Sequence, residues 1–170
     1  MARLSAQLLP RAVLLTGLAV WLTIAVLNNV TDSGTNIIHL NRMLSMRLLA
    51  DDPLFGNGLE WRAWQTVSAQ TILYVVVVWQ VLTACALWLA AFRMMGTALS
   101  GEMNDAALRS ANLALSMFLA LWLVFLCGGL WFGYWMKQGP IQGVHLTLVI
   151  ISLLSLTYVN QPTQWLDRKY

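Results

Sequence analysis

Charge is scarce in this chain. Asp, Glu, Lys and Arg together make up 10% of its 170 residues, while hydrophobic residues make up 59%. A soluble domain carries about 25% charged residues. A water-soluble fold of this composition would lack the polar surface to cover itself, whereas lipid can solvate an apolar exterior. Cysteine is scarce too. Cys85 and Cys127 are the only two, too few for a disulfide framework. They fall in different apolar segments, on opposite sides of the expected midplane, and both are expected to be small buried packing residues. There is no run or stripe of basic residues, so the net charge of +3 and the pI near 9.2 do not point to nucleic acid. A phosphate-binding glycine loop, a nucleophile elbow, zinc-ligand spacing, internal repeats and low-complexity tracts are all absent, and nothing points to an enzyme.

What the chain does have is long apolar runs. A helix needs roughly 20 apolar residues to cross the hydrocarbon core. The sequence predicts spans over residues 8–28, 68–93, 109–135 and 141–160. The fold class expected is all-α: a four-helix transmembrane bundle forming one polytopic domain over residues 1–170, with a long structured outer loop over residues 28–70. Arg11 is expected to snorkel from the first span to the membrane surface. That span has the basic start and apolar middle of a signal peptide. The sequence after it, Asn28-Asn29-Val30-Thr31-Asp32, lacks a small-residue cleavage pattern, so it is read as a retained helix. Nine tryptophans suit the membrane interface.

Orientation follows the distribution of Lys and Arg. With the amino terminus inside, the cytoplasmic parts carry Arg3, Arg11, Arg93, Arg109, Arg168 and Lys169, against Arg42, Arg47, Arg62 and Lys137 outside. This places both termini in the cytoplasm and the long loop on the outer face of the membrane. The third and fourth spans, joined by a tight turn around Gly139-Pro140, are expected to be antiparallel neighbours.

A structureless loop of some 40 residues is unusual in a compact protein, so the outer loop should carry its own structure. Thr35 or Ser33 can cap a short interfacial helix over residues 36–49, in which Ile37, Leu40, Leu44 and Leu48 share one face. Asp51-Asp52-Pro53 ends it, and Trp61 and Trp64 return the chain to the outer aromatic belt with Trp131 and Trp135.

Several residues could carry chemistry. His39, Met43 and Met46 project within about 60° of one another on a helix. An imidazole and two thioethers form a soft ligand set suited to Cu(I), and His145, at a similar depth, could be a fourth ligand. His39 with His145 as axial haem ligands is a weaker version of the same idea. The simpler reading is that the methionines pack at an interface and His39 is a polar edge residue. Gln80, near the middle of the second span, is either a polar point on a transport path or, as favoured, an interhelical hydrogen-bond partner. No Asp, Glu, Lys or Arg lies inside any span, which argues against a proton-coupled pump or a voltage sensor. Gly129 and Gly133 form a small-xxx-small pair on the third span that permits close helix approach, internally or with a partner. Trp61 and Arg62 are further candidates for a partner contact.

The ordered motifs Asn29-Val30-Thr31-Asp32, Thr35-Asn36, Leu44-Ser45-Met46 and Trp61-Arg62-Ala63, with Gly128-Gly129…Trp131…Trp135, resemble the signature of a small bacterial integral membrane protein family, the domain of unknown function 2165. The resemblance covers most of the chain, including the helix layout and length. Members often carry His where this chain has Arg42, an acidic residue where it has Arg47, and Glu where it has Gln80. A role resting on an ionisable His or Glu is therefore in doubt here. The resemblance implies a four-helix inner-membrane protein and implies no activity. The function expected is a non-catalytic accessory or stabilising subunit of a larger membrane complex, whose partners are the lipid bilayer and other subunits or a second copy. A small transporter or channel component is the alternative, and a copper- or haem-binding redox protein the further one.

Overall fold

The computed structural model describes residues 7–52, 54–55, 58–101 and 104–162. Pro10 sits in the first turn of α1, Leu9–Thr31, where its missing N–H costs nothing. Asp32 ends that helix and begins α2, Ser33–Leu44, its carboxylate accepting from the Thr35 N–H. A four-residue helix α3, Arg47–Ala50, follows. After a 3₁₀ turn at Glu60–Arg62, Ser68 caps α4, Ala69–Ser100, which stops on Gly101 at φ 80°. Asn104 caps α5, Asp105–Trp131. A second 3₁₀ turn at Tyr134–Met136 leads to α6, Gly139–Val159, with Pro140 in its first turn. No strand occurs among the described residues. Four helices, α1, α4, α5 and α6, are long and apolar enough to cross a membrane.

Some boundaries differ from expectation. The second span was expected to stop at Arg93, the first charge. Arg93 is exposed, however, and Met94, Thr97 and Ala98 carry the buried face onward, so the helix continues to a glycine able to adopt the left-handed conformation. At 1.5 Å per residue its 32 residues extend about 48 Å, well beyond the ~30 Å hydrocarbon core. Gly133 was expected on the third span. It lies beyond the end of α5, at φ 61°, and terminates the helix instead of packing it. The outer-loop helix is not continuous either. It breaks at Met46, whose φ of 52° makes it the one non-glycine residue with positive φ among those described. Such a conformation costs roughly 1–3 kcal/mol. In return the break turns both Met46 and Leu49 into an apolar cluster with Leu44, Ala69 and Phe132. Leu48, expected on the packed face, stays half-exposed.

α4 packs between α1 and α5, and α5 between α4 and α6. The core is rich in small residues: Ala12 and Ala19 of α1, Ala90 and Ala98 of α4, and Ala111 and Ala114 of α5 are all fully buried. Lipid provides no hydrophobic force between helices, so close backbone approach and dispersion must hold them together. Trp21, Phe118 and Trp122 fill the space between α1 and α5 as an edge-to-face triad, centroids 5.5–5.9 Å apart. At the end away from the long loop, Asn112 and Asn160 exchange two amide hydrogen bonds between α5 and α6, at 2.9 and 2.6 Å. Arg11 does not snorkel. It is 4% exposed and donates to the Gln161 carbonyl at 2.7 Å, tying the start of α1 to the chain beyond α6. Cys85 and Cys127 are free and both exposed, contrary to the expected burial; a small weakly polar side chain is solvated as well by lipid as by a core.

Candidate functional site

The polar chemistry of the molecule gathers at the loop end, where the chain from α2 to α4 covers the α5–α6 turn. Its floor is the apolar cluster of Leu44, Met46, Leu49, Ala69 and Phe132, with Ile37, Leu40, Met43 and Met136 packed against it. The Trp64 N–H donates to the Leu44 carbonyl at 2.8 Å, and the Trp64 ring meets Phe132 edge to face at 5.2 Å. These contacts hold the returning chain down on the helix break.

Three polar links fasten this cover. Asp52 Oδ1 accepts from the Leu54 and Phe55 N–H groups at 2.7 and 2.9 Å, and its other oxygen pairs with Lys137 across the α5–α6 turn. The Lys137 hydrogen bond, followed by the two backbone donors, pulls the Asp52 carboxyl down to about 2. Stabilisation from this carboxylate is therefore complete above the ordinary value of about 3.9 and is lost as pH falls from there through the folded value. Following the Asp52 carboxyl carbon by NMR should give a midpoint near 2, and Lys137→Gln should move it up toward 4. Second, His39 Nδ1 lies 3.3 Å from Gln138 Nε2, joining α2 to the residue before α6. Third, Asn29 donates to Gln80 Oε1 at 2.7 Å, and Asn36 donates to Asn29 Oδ1 at 3.0 Å. Gln80 is 3% exposed; the three amides form a hydrogen-bonded thread from within the bundle to the loop.

Beneath the cover lies a fourth arrangement. The Tyr134 hydroxyl is 3.0 Å from His145 Nδ1. Burial pushes the Tyr134 hydroxyl up to about 12, so it stays protonated. The His145 ring stacks on Trp122 at 5.8 Å and meets Phe125 at 5.0 Å. Gln142, one turn before His145, donates to the Leu126 carbonyl at 3.2 Å, while its Oε1 is buried without a partner. Gly129 lets this happen: a side chain there would collide with the Gln142 oxygen and the Tyr134 ring.

The candidate metal set is divided among these environments. Met43 and Met46 pack in the apolar cluster, His39 faces Gln138, and His145 faces Tyr134 within an aromatic cage. Among the described residues no group of three or more His, Cys, Asp or Glu is placed to hold a metal ion. Trp61 is 71% exposed, and the Arg62 guanidinium lies against both its ring and that of Trp131. Gly133 adjoins the cover, where a side chain would come within 2.9 Å of Leu49. A shallow depression of about 430 Å³ beside it is lined by Ala63, Trp64, Gln65, Thr66 and Val67.

Sequence reading missed Tyr134, Gln138 and Gln142. Each is an ordinary polar residue near a turn, and only the tertiary fold supplies its partner. Asn29 and Asn36 lie in the motifs noted above, but nothing in the sequence pairs them with Gln80 some 50 residues away.

No curated protein and no solved structure matches the chain. The family described as predicted small integral membrane protein (DUF2165) matches residues 7–162. Four helices able to cross a membrane and a match of this extent together lead to one conclusion: the chain belongs to the DUF2165 family of small integral membrane proteins.

Proposed function

We propose that this protein is a non-catalytic subunit that stabilises a larger complex in the bacterial inner membrane, with both termini cytoplasmic and the loop end facing outward. The excess of Lys and Arg in the parts flanking the opposite end supports that orientation. The observation that carries the reading is the division of labour at the loop end. Polar side chains there bridge to one another in the Asp52–Lys137, His39–Gln138 and Asn36–Asn29–Gln80 links, while large apolar ones face out: Leu54 is 81% exposed, and Phe55 and Trp64 are about half exposed. Apolar residues at a loop tip beyond the bilayer suit contact with another protein. Extraction in native lipid discs, followed by mass determination of the intact assembly, tests this. A co-purifying subunit displaced by Leu54→Arg is expected; a strictly monomeric species with nothing bound would overturn it.

A second reading has one observation in its favour. The Asn36–Asn29–Gln80 thread places a continuous set of amides from the loop into the bundle, as the wall of a path in a small transporter or channel component would have. Solute flux through proteoliposomes that is lost in Gln80→Leu would establish it. Absence of flux, or flux indifferent to that substitution, removes it.

A further inference from the structure

We propose that Arg62, with the two indoles flanking it, is a binding site for the phosphodiester of a membrane phospholipid, whose acyl chain lies along the exposed face of α5. The guanidinium carbon sits 5.2 Å from the Trp61 ring centroid and 5.4 Å from that of Trp131, and the two rings meet edge to face at 5.8 Å. Cation–π contact of this kind attracts the guanidinium but leaves its N–H groups to find acceptors elsewhere. They are poorly satisfied by the protein. Nη1 reaches the Trp131 carbonyl only at 3.5 Å, the limit of a hydrogen bond, and Nε is buried with no partner at all.

No carboxylate among the described residues forms an ion pair with it either. Among the described residues the acidic side chains that form ion pairs are Asp51, with Arg47, and Asp52, with Lys137. Glu60, two residues away, accepts from the Gly58 N–H instead. Arginine does not shed its proton, so a half-buried guanidinium without a counter-charge calls for an anion with oxygens spaced for its fork, and a phosphodiester supplies them.

The surrounding surface specifies a lipid as the source of that anion. Below Trp131, itself 43% exposed, Leu123, Val124, Cys127 and Leu130 are all exposed. Their spacing of three and four residues puts them on one helix face. From Leu123 to Trp131 this stripe is about 12 Å long, most of the depth of one leaflet, roughly 15 Å. An anion site at the top of an apolar track one leaflet deep matches a phospholipid in both charge and shape.

Native mass spectrometry of the full chain in detergent, titrated with phosphatidylglycerol, tests the proposal. One lipid should bind in the first, tightest step, with diacylglycerol of the same chains, which lacks the phosphate, retained about tenfold less. Arg62→Gln should cut phosphatidylglycerol retention by a similar factor, while Arg47→Gln, whose side chain is 79% exposed, leaves it unchanged. Leu123→Ala, on the apolar stripe and two turns away from the loop, should weaken it as well. Inorganic phosphate at the same concentration should not compete. Equal retention by Arg62→Gln and the parent chain overturns the proposal, as does diacylglycerol binding as tightly as the phospholipid. Competition by inorganic phosphate at equal concentration would mean a free-anion site and overturns it too. So would loss of a co-purifying protein in Arg62→Gln with lipid retention intact, since the surface would then hold a partner's carboxylate. Should Arg62→Gln fail to fold, the diacylglycerol and Leu123→Ala comparisons decide the matter without it.

Discussion

Replacing Gly129 with alanine is expected to destabilise the protein by about 2 kcal/mol, the cost of forcing a methyl into a filled space. Its neighbour Gly128 should show the opposite sign. A side chain at Gly128 would meet nothing within 4 Å, and alanine there improves helix propensity by up to about 1 kcal/mol. At Gly129 the same propensity gain is overwhelmed. The added methyl would collide with the Gln142 amide oxygen and the Tyr134 ring. The Gln142 tip could turn aside, but the Tyr134 ring cannot move without giving up the 3.0 Å contact of its hydroxyl with His145. The two alanine variants, unfolded side by side in mixed micelles, provide the check. The imidazole NMR signals of His145 should shift in Gly129→Ala and stay put in Gly128→Ala. Equal stability of the two variants would refute the close approach of α5 and α6 at this level.

Phe118→Ala should cost a comparable or larger amount, about 2–3 kcal/mol. In a water-soluble core the loss would be about 3–5 kcal/mol, part of it the transfer of apolar surface from water. Here the separated helices remain in lipid, so that part largely disappears, and the remainder is lost dispersion and an unfilled cavity. Phe118 is fully buried and meets both Trp21 and Trp122, which also meet each other, and this makes collapse of the gap difficult. Leu154→Ala is the control. That side chain is 64% exposed and faces lipid, so its truncation should stay within about 0.5 kcal/mol. A loss as large for Leu154 as for Phe118 would show that the transfer contribution had been wrongly discounted.

The spans were readable because their signal is composition, which needs no partner to be interpreted: a run of apolar residues long enough to cross lipid is a span wherever its neighbours lie. Their ends were less so. Arg93 looked like a boundary, yet buried residues on one face carry α4 past it, and the placement of that face depends on what packs against it. Gly133 looked like part of a helix-packing pair, since its spacing from Gly129 is four. Spacing assumes that the helix continues, and here it has already ended at Trp131. The loop helix was anticipated from its apolar periodicity, but the break at Met46 was not. Methionine has no preference for a left-handed backbone, and the conformation is held by burial of Met46 and Leu49 in the apolar cluster with Leu44, Ala69 and Phe132.

The candidate site divides in the same way. Gln80 drew attention as a polar residue in an apolar run, and the motif Asn29-Val30-Thr31-Asp32 drew attention by resemblance. That the first asparagine of the motif is the hydrogen-bond partner of Gln80 was in neither signal. Asp32 could be read as polar punctuation between helices, which is what it is: the end of one and the cap of the next. His39, Met43, Met46 and His145 could be placed at a common depth from the sequence. Their neighbours separate them in the fold, two in an apolar cluster, one beside Gln138 and one in an aromatic cage.

The sequence by itself determined that this is an all-helical membrane protein with four spans and a structured loop between the first two, because lipid imposes length and apolarity on every spanning segment and leaves no other way to satisfy the backbone. Only the tertiary structure decided that Arg11 is buried, that both cysteines face outward, and that Asp52 and Lys137 bolt the loop onto the α5–α6 turn. It also decided that Arg62 lies against two indoles, with no ion pair to a carboxylate among the described residues. In lipid, both faces of a spanning helix are apolar, so hydrophobicity does not tell inside from outside. Which side of a helix is buried, and which polar groups meet, depends on packing between segments far apart in the chain.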